Sequence, residues 1–241
     1  MRYFLSLIFL YCCILSYAQV VPVQGVALNP IDQSIFSQWA SEVDDEVGNQ
    51  AIVGSPYLLD DWSKGEITTI KGEKHVEVDL KLNLFSDQLI YRNPFTKDST
   101  LILIQYLQSF TLRNKDTTYN FHYVTPKGDS DAKIRPQDFY LILSEGKLSL
   151  LARPEVKIKR ATKNSMVNSD GQIKDRFSRS AEFFLRNENG RITQIKGSKK
   201  ALVKSMPAFT EKVAEFVKLN KIDPTEAKDL MAVFKYYNSL E

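Results

Sequence analysis

Cysteine is almost missing from this chain, and both copies, Cys12 and Cys13, stand side by side in an apolar N-terminal run. Without that run, disulfides, thiolate catalysis and cysteine-ligated zinc are excluded. Histidine is equally scarce: there are two, His75 and His122, far apart and without a second ligand at a useful spacing. A zinc site needs several protein ligands, so the pair assigns none. Both alternate with apolar neighbours and read as solvent-facing strand residues. Glycine is sparse. No phosphate-cradling loop is present, and no Gly-x-Ser-x-Gly elbow, since Gly54-Ser55-Pro56 lacks the second glycine. Asn168-Ser169-Asp170-Gly171 looks like the middle of an EF-hand, but the first and last ligand positions fall on Met166 and Phe177, which offer no side-chain oxygen. Asp44-Asp45-Glu46 and Asp60-Asp61 are the only close carboxylate pairs that suggest glycosidase chemistry, and adjacent carboxylates point apart on a strand. No catalytic residue, metal ligand or cofactor is therefore assigned. There is no internal repeat.

What is present begins with a leader. Arg2 is followed by the apolar run Tyr3 to Leu15, and Ser16-Tyr17-Ala18 puts small residues where a signal peptidase reads. Residues 1–18 are expected to be a cleaved secretory signal, leaving a mature chain from Gln19 that must be held by its core. The competing reading is an uncleaved anchor, because no charge follows until Asp32; Gln19, Pro22, Gln24 and Gly25 interrupt the apolar pattern and argue against it. The mature chain is expected to have no transmembrane span. Residues 19–28 read as a tether.

Charge is nearly balanced, with 32 Lys and Arg against 29 Asp and Glu, but it is segregated. Acids alone occupy 29–61, and bases dominate 153–179, including Lys157, Lys159, Arg160, Arg176 and Arg179. Two readings stand: solvated faces that attract each other, or a basic surface for an anionic lipid or an acidic protein. Nucleic acid is not expected of an exported chain without a binding motif.

The pattern along the chain predicts an α+β domain over 29–241. Asn29-Pro30 starts a helix over about 30–47, with Ile31, Ile35, Trp39 and Val43 at helical spacing. From Gly65 the period becomes two: Val76, Val78, Leu80, Leu82 and Leu84 alternate with polar residues. Further strands are read at 88–92, 100–106, 110–113, 117–124, 139–143, 147–152 with a continuation near Val156, 181–186 and 191–195. Residues 161–178 read as an exposed loop. About eight to ten strands in one antiparallel β-meander would curl into an open or closed barrel over about 65–196. After Gly197 the period is helical. Pro207 opens one helix, with Phe209, Val213, Phe216 and Val217 on one face, and Asp223-Pro224-Thr225-Glu226 caps another carrying Leu230, Met231, Phe234 and Tyr237. This helical hairpin, within about 198–239, is expected to cap the sheet.

The most distinctive segment is Gly54 to Gly65, which joins Tyr57, Asp60, Asp61 and Trp62 between helix and sheet. It reads as a lid packed over the sheet end, or as the rim of a binding cleft.

GSPYLLDDWSKGEI, VDLKLNLFSDQLIYRNP, FYLILSEGKLSLLAR and the close NKIDPTEAKDLMAVFKYYN together resemble an uncharacterised group of exported Bacteroidota proteins, over about residues 49–238. The resemblance implies an envelope, periplasmic or secreted location in a Gram-negative bacterium. It carries no activity, ligand or functional residue. The leading expectation is a non-enzymatic module binding a protein, a glycan or an anionic lipid. One alternative is a periplasmic lipid carrier built like the half-barrel lipoprotein chaperones, which needs an apolar concave face left uncovered. Another is a secreted hydrolase, which needs a histidine beside an acid and a serine.

Overall fold

The computed structural model describes residues 52–115, 117–125, 127, 138–161 and 174–240. The leader, the tether, the helix expected over 30–47 and the Asn168–Gly171 turn lie outside the described residues.

Alternation builds the sheet. The described residues form ten strands: β1 (Ser63–Thr69), β2 (Lys74–Asn83), β3 (Gln88–Arg92), β4 (Ser99–Ile102), β5 (Leu107–Asn114), β6 (Thr117–Val124), β7 (Asp138–Ser144), β8 (Leu148–Lys159), β9 (Arg176–Asn187) and β10 (Ile192–Gln194). All pair antiparallel in the order β10-β9-β8-β7-β6-β5-β1-β2-β3-β4. The single meander expected from sequence is thus two meanders joined back to back. β5 pairs with β1, Phe110 opposite Ile67, rather than with β4. The sheet is not closed, because its edge strands β4 and β10 do not pair.

Three local departures from the sequence reading have physical causes. In β2 the register slips where Gly65 and Glu66 face Val78 and Val76, leaving Glu77 as a bulge at φ 57°. A bulge reverses the facing of every residue beyond it. Val78, Leu80 and Leu82 point inward as expected, but Val76 is 58% exposed and His75, expected outside, is half-buried with its Nε2 unbonded. Gly65 is required here: a Cβ would stand 2.0 Å from the Thr111 carbonyl oxygen. Secondly, β8 runs unbroken through Pro154. The β7–β8 ladder stops at Ala152, so the absent proline N–H breaks no rung on that side. Thirdly, β9 begins at Arg176, inside the stretch read as loop.

The helices follow: α1 (Lys199–Lys204), α2 (Thr210–Leu219) and α3 (Ala227–Ser239). Ser198 caps α1 by accepting from the Ala201 N–H. A 3-10 turn over Pro207–Phe209 leads into α2. Asp223 does not cap α3. Its carboxylate accepts from the Thr225 N–H and hydroxyl, which holds it below its usual pKa, and the helix starts three residues later than a capping box would place it, at Ala227. The buried stripe of α3 is Leu230, Val233, Phe234 and Tyr237, spaced for one helical face, while Met231 is 41% exposed.

Two apolar clusters share one face of the sheet. Along β7, Phe139 and Leu141 turn into the curl formed by β1 to β6, and Leu143 turns to the helices. Helices α2 and α3 pack Val213, Val217, Leu230 and Phe234 onto Leu148, Leu150 and Leu185. Within the curl, Phe110 stacks on Phe121 at 4.8 Å and tilts against Phe139. A void of about 40 Å³ remains there. A smaller cluster of Tyr140, Leu151, Phe184 and Ile192 lies on the other face.

Candidate functional site

The segment ahead of β1 works as a strap. Its first part pairs with the start of β9: Val53 donates to Asp175 O and accepts from the Phe177 N–H, both at 2.9 Å. Its second part pairs with the end of β2: Leu58 donates to Leu82 O and Leu84 donates to Pro56 O, each at 2.9 Å. Gly54, at φ 102°, makes the turn between the two and lies against Phe177. Backbone hydrogen bonds thus bring the start of β9 to the end of β2, across the open side of the curl.

Arg179 on β9 fastens the strap. Its guanidinium donates to Tyr57 O at 2.8 Å and lies 3.5 Å from the Asp60 carboxylate. On the other wall, Lys81 of β2 holds its ammonium 4.2 Å from the Tyr57 ring centre and 5.9 Å from that of Trp62. Arg92 of β3 lies over Trp62 at 4.6 Å. Two cations on one indole are stabilised by its ring faces. Behind them Asp79 pairs with Lys64 at 2.7 Å and Arg92 at 3.3 Å. Desolvation pushes the Asp79 carboxyl up, but those two cations outweigh it and hold it below its usual value.

Between strap, β2 and β9 lies an open groove of about 760 Å³, lined by Tyr57, Asp60, Lys81, Phe177, Arg179 and the backbone of residues 54–56. Lys81 is half-buried, and among the described residues it makes no hydrogen bond or ion pair. Of the two cations lining the groove, Arg179 has Asp60 at 3.5 Å and Lys81 has no carboxylate partner among the described residues.

Tyr57 and Asp60, read from sequence as rim residues, line this groove; Trp62 sits behind it as the support for Lys81 and Arg92; Asp61 is exposed outside the groove lining. The basic run is divided. Lys157 pairs with Glu155 at 2.7 Å, and Arg160 with Asp175 at 2.6 Å. Lys159 and Arg176 sit opposite each other on β8 and β9. Arg179 alone joins the groove. Lys81, Arg92 and Phe177 were not singled out by sequence, although Lys81 occupies a polar position in the β2 alternation.

A second charged cluster surrounds the buried Arg153, with Glu182, Glu155 at 3.0 Å and Asp138 at 3.7 Å. Glu155 also holds Lys157 at 2.7 Å and Gln194 donates to Glu182, while Arg153 Nε and Nη1 are buried without a hydrogen-bond partner among the described residues. Among the described residues, no three His, Cys, Asp or Glu side chains gather for a metal ion, and no helix is long and apolar enough to cross a membrane. Among them, neither the His75 nor the His122 imidazole makes a hydrogen bond to a serine hydroxyl or a carboxylate, although Ser109 stands opposite His122 in the β5–β6 register.

No family model, no curated protein and no solved structure matches this chain.

Proposed function

We propose that this is an exported envelope protein that works by binding rather than catalysis, with the groove beneath the strap as its site. Export rests on the leader and on the resemblance to exported Bacteroidota proteins. The observation that carries the binding function is Lys81. Its ammonium is held over two aromatic rings, has no anionic partner among the described residues, and opens on the groove.

The lipid-carrier alternative is less well supported. Phe234 and Tyr237 are buried against the sheet face that a carrier would leave open, and the void inside the curl, about 40 Å³, is too small for an acyl chain. A hydrolase is supported by no histidine–serine–acid contact among the described residues.

The test is a thermal-shift comparison of the wild-type chain and Lys81→Met against separated envelope fractions: peptidoglycan fragments, lipopolysaccharide, acidic polysaccharide and phospholipid. A ligand that binds only the native state raises the unfolding midpoint. At least one fraction should stabilise wild type and leave Lys81→Met unchanged. If no fraction distinguishes the two, the groove is not a binding site.

A further inference from the structure

We infer that the groove takes an acidic saccharide, a sugar ring bearing a carboxylate, with the charge seated on Lys81 and the hydroxyls between Asp60 and Arg179. This rests on the binding function proposed above and names its ligand class.

The groove contains both signs of charge, and that mixture selects the ligand. Lys81 is held over the rings of Tyr57 and Trp62, with no carboxylate partner among the described residues. An ammonium partly removed from water gains more from an incoming anion than a solvated one. Arg92, over Trp62, adds to the positive field behind it, although Asp79 takes one of its N–H groups. A bare anion such as phosphate would use only this corner. Asp60, on the same groove, would oppose it.

A ligand that is anionic at one end and rich in hydroxyls elsewhere uses every group present. Hydroxyls donate to the Asp60 carboxylate and accept from Arg179, which lie 3.5 Å apart. Phe177, half-buried in the groove wall and edge-on to Phe85 at 5.7 Å, offers an apolar surface to the C–H face of a sugar ring. A uronic acid carries all three parts. A phospholipid headgroup offers the anion, but the void inside the curl, about 40 Å³, is too small for its acyl chains.

The experiment is calorimetric titration of the wild-type chain, Lys81→Met and Lys81→Arg with trigalacturonate, its methyl ester, inorganic phosphate and phosphatidylglycerol vesicles. Trigalacturonate should bind wild type. The ester should bind about tenfold more weakly, the size of one charge-assisted hydrogen bond. Lys81→Met should lose the same factor for the acid and nothing for the ester, and Lys81→Arg should keep the preference. The acid–ester comparison on wild type stands even where a variant folds poorly. Equal binding of acid and ester, or no binding of trigalacturonate, overturns the ligand class. Vesicle or phosphate binding that depends on Lys81 while trigalacturonate fails overturns the class and leaves the binding function standing. Failure of every probe, together with envelope fractions that do not distinguish Lys81→Met, overturns both.

Discussion

The two ends of this sheet face are finished by different physics. At the helical end, α2 and α3 cover Leu148, Leu150 and Leu185 with Val213, Val217, Leu230 and Phe234, all nearly or fully buried. The polar tie there is part-buried: the Asn238 amide accepts from the Leu148 N–H at 3.0 Å and donates to Leu148 O at 2.8 Å, completing the end of β8 as a neighbouring strand would, while Lys147 donates to Leu240 O at the surface. At the strap end the closing segment packs only the half-buried Leu58 and Leu59 on the core, and is otherwise held by backbone bonds of Val53, Pro56 and Leu58, by an exposed arginine, and by cations resting on rings. Apolar burial contributes in proportion to area and keeps the helical end shut. Exposed ion pairs contribute little, so the strap end stays accessible and locally less stable. On the binding function proposed above, stability and binding fall at opposite ends of one face.

The comparison can be broken most forcefully at the helical end. Phe234→Ala should cost about 3–5 kcal/mol, the range for a large aromatic removed from a packed core, read as a fall in the urea midpoint. Asn238→Ala should cost about 1–3 kcal/mol, because it leaves both Leu148 backbone groups without their partner. Gly146→Ala acts on the same tie: a Cβ there would stand 2.4 Å from the Asn238 amide nitrogen, so the two substitutions should be strongly non-additive. At the strap, Arg179→Met should change global stability by less than about 1 kcal/mol. Its effect should instead be local, as faster amide exchange at Val53 and Leu58.

The smallest expected effect is in pH dependence. Against desolvation, which pushes it up, the Asp79 carboxyl is held below its ordinary value of 3.8 by Lys64 and Arg92. The unfolded chain therefore takes up that proton first as pH falls. The contribution is fully present above about pH 4 and is lost as pH drops through 3.8 towards the folded value. Asp79→Asn should lower stability at neutral pH by that small contribution, leave stability below the folded value nearly unaffected, and so flatten the acid limb of the curve. An unchanged acid limb would mean that the Lys64–Asp79–Arg92 cluster adds nothing to holding the strap end.

Much of the helical end was legible in sequence, because helical periodicity and apolar spacing are local signals. Val213, Val217, Leu230, Phe234 and Tyr237 lie where that spacing puts them. The start of α3 was misjudged because Asp223, Thr225 and Glu226 fit a capping box, whereas Thr225 satisfies Asp223 before the helix begins. The β2 alternation was legible, but not the bulge, since nothing about glutamate marks Glu77 for a left-handed backbone. The strap end was legible only in part. Tyr57, Asp60 and Trp62 stand out by composition within one segment. Their partners Lys81, Arg92 and Arg179 come from separate strands, and the Arg179–Tyr57 bond spans 122 residues. Only the curl of the sheet brings them together, and no local pattern encodes a curl.

Hydrogen exchange with and without trigalacturonate tests the division most directly. Protection should rise at amides of residues 53–60, 81–82 and 177–179, and those of α2 and α3 should be unchanged. Protection gained at the helices with none at the strap would contradict it.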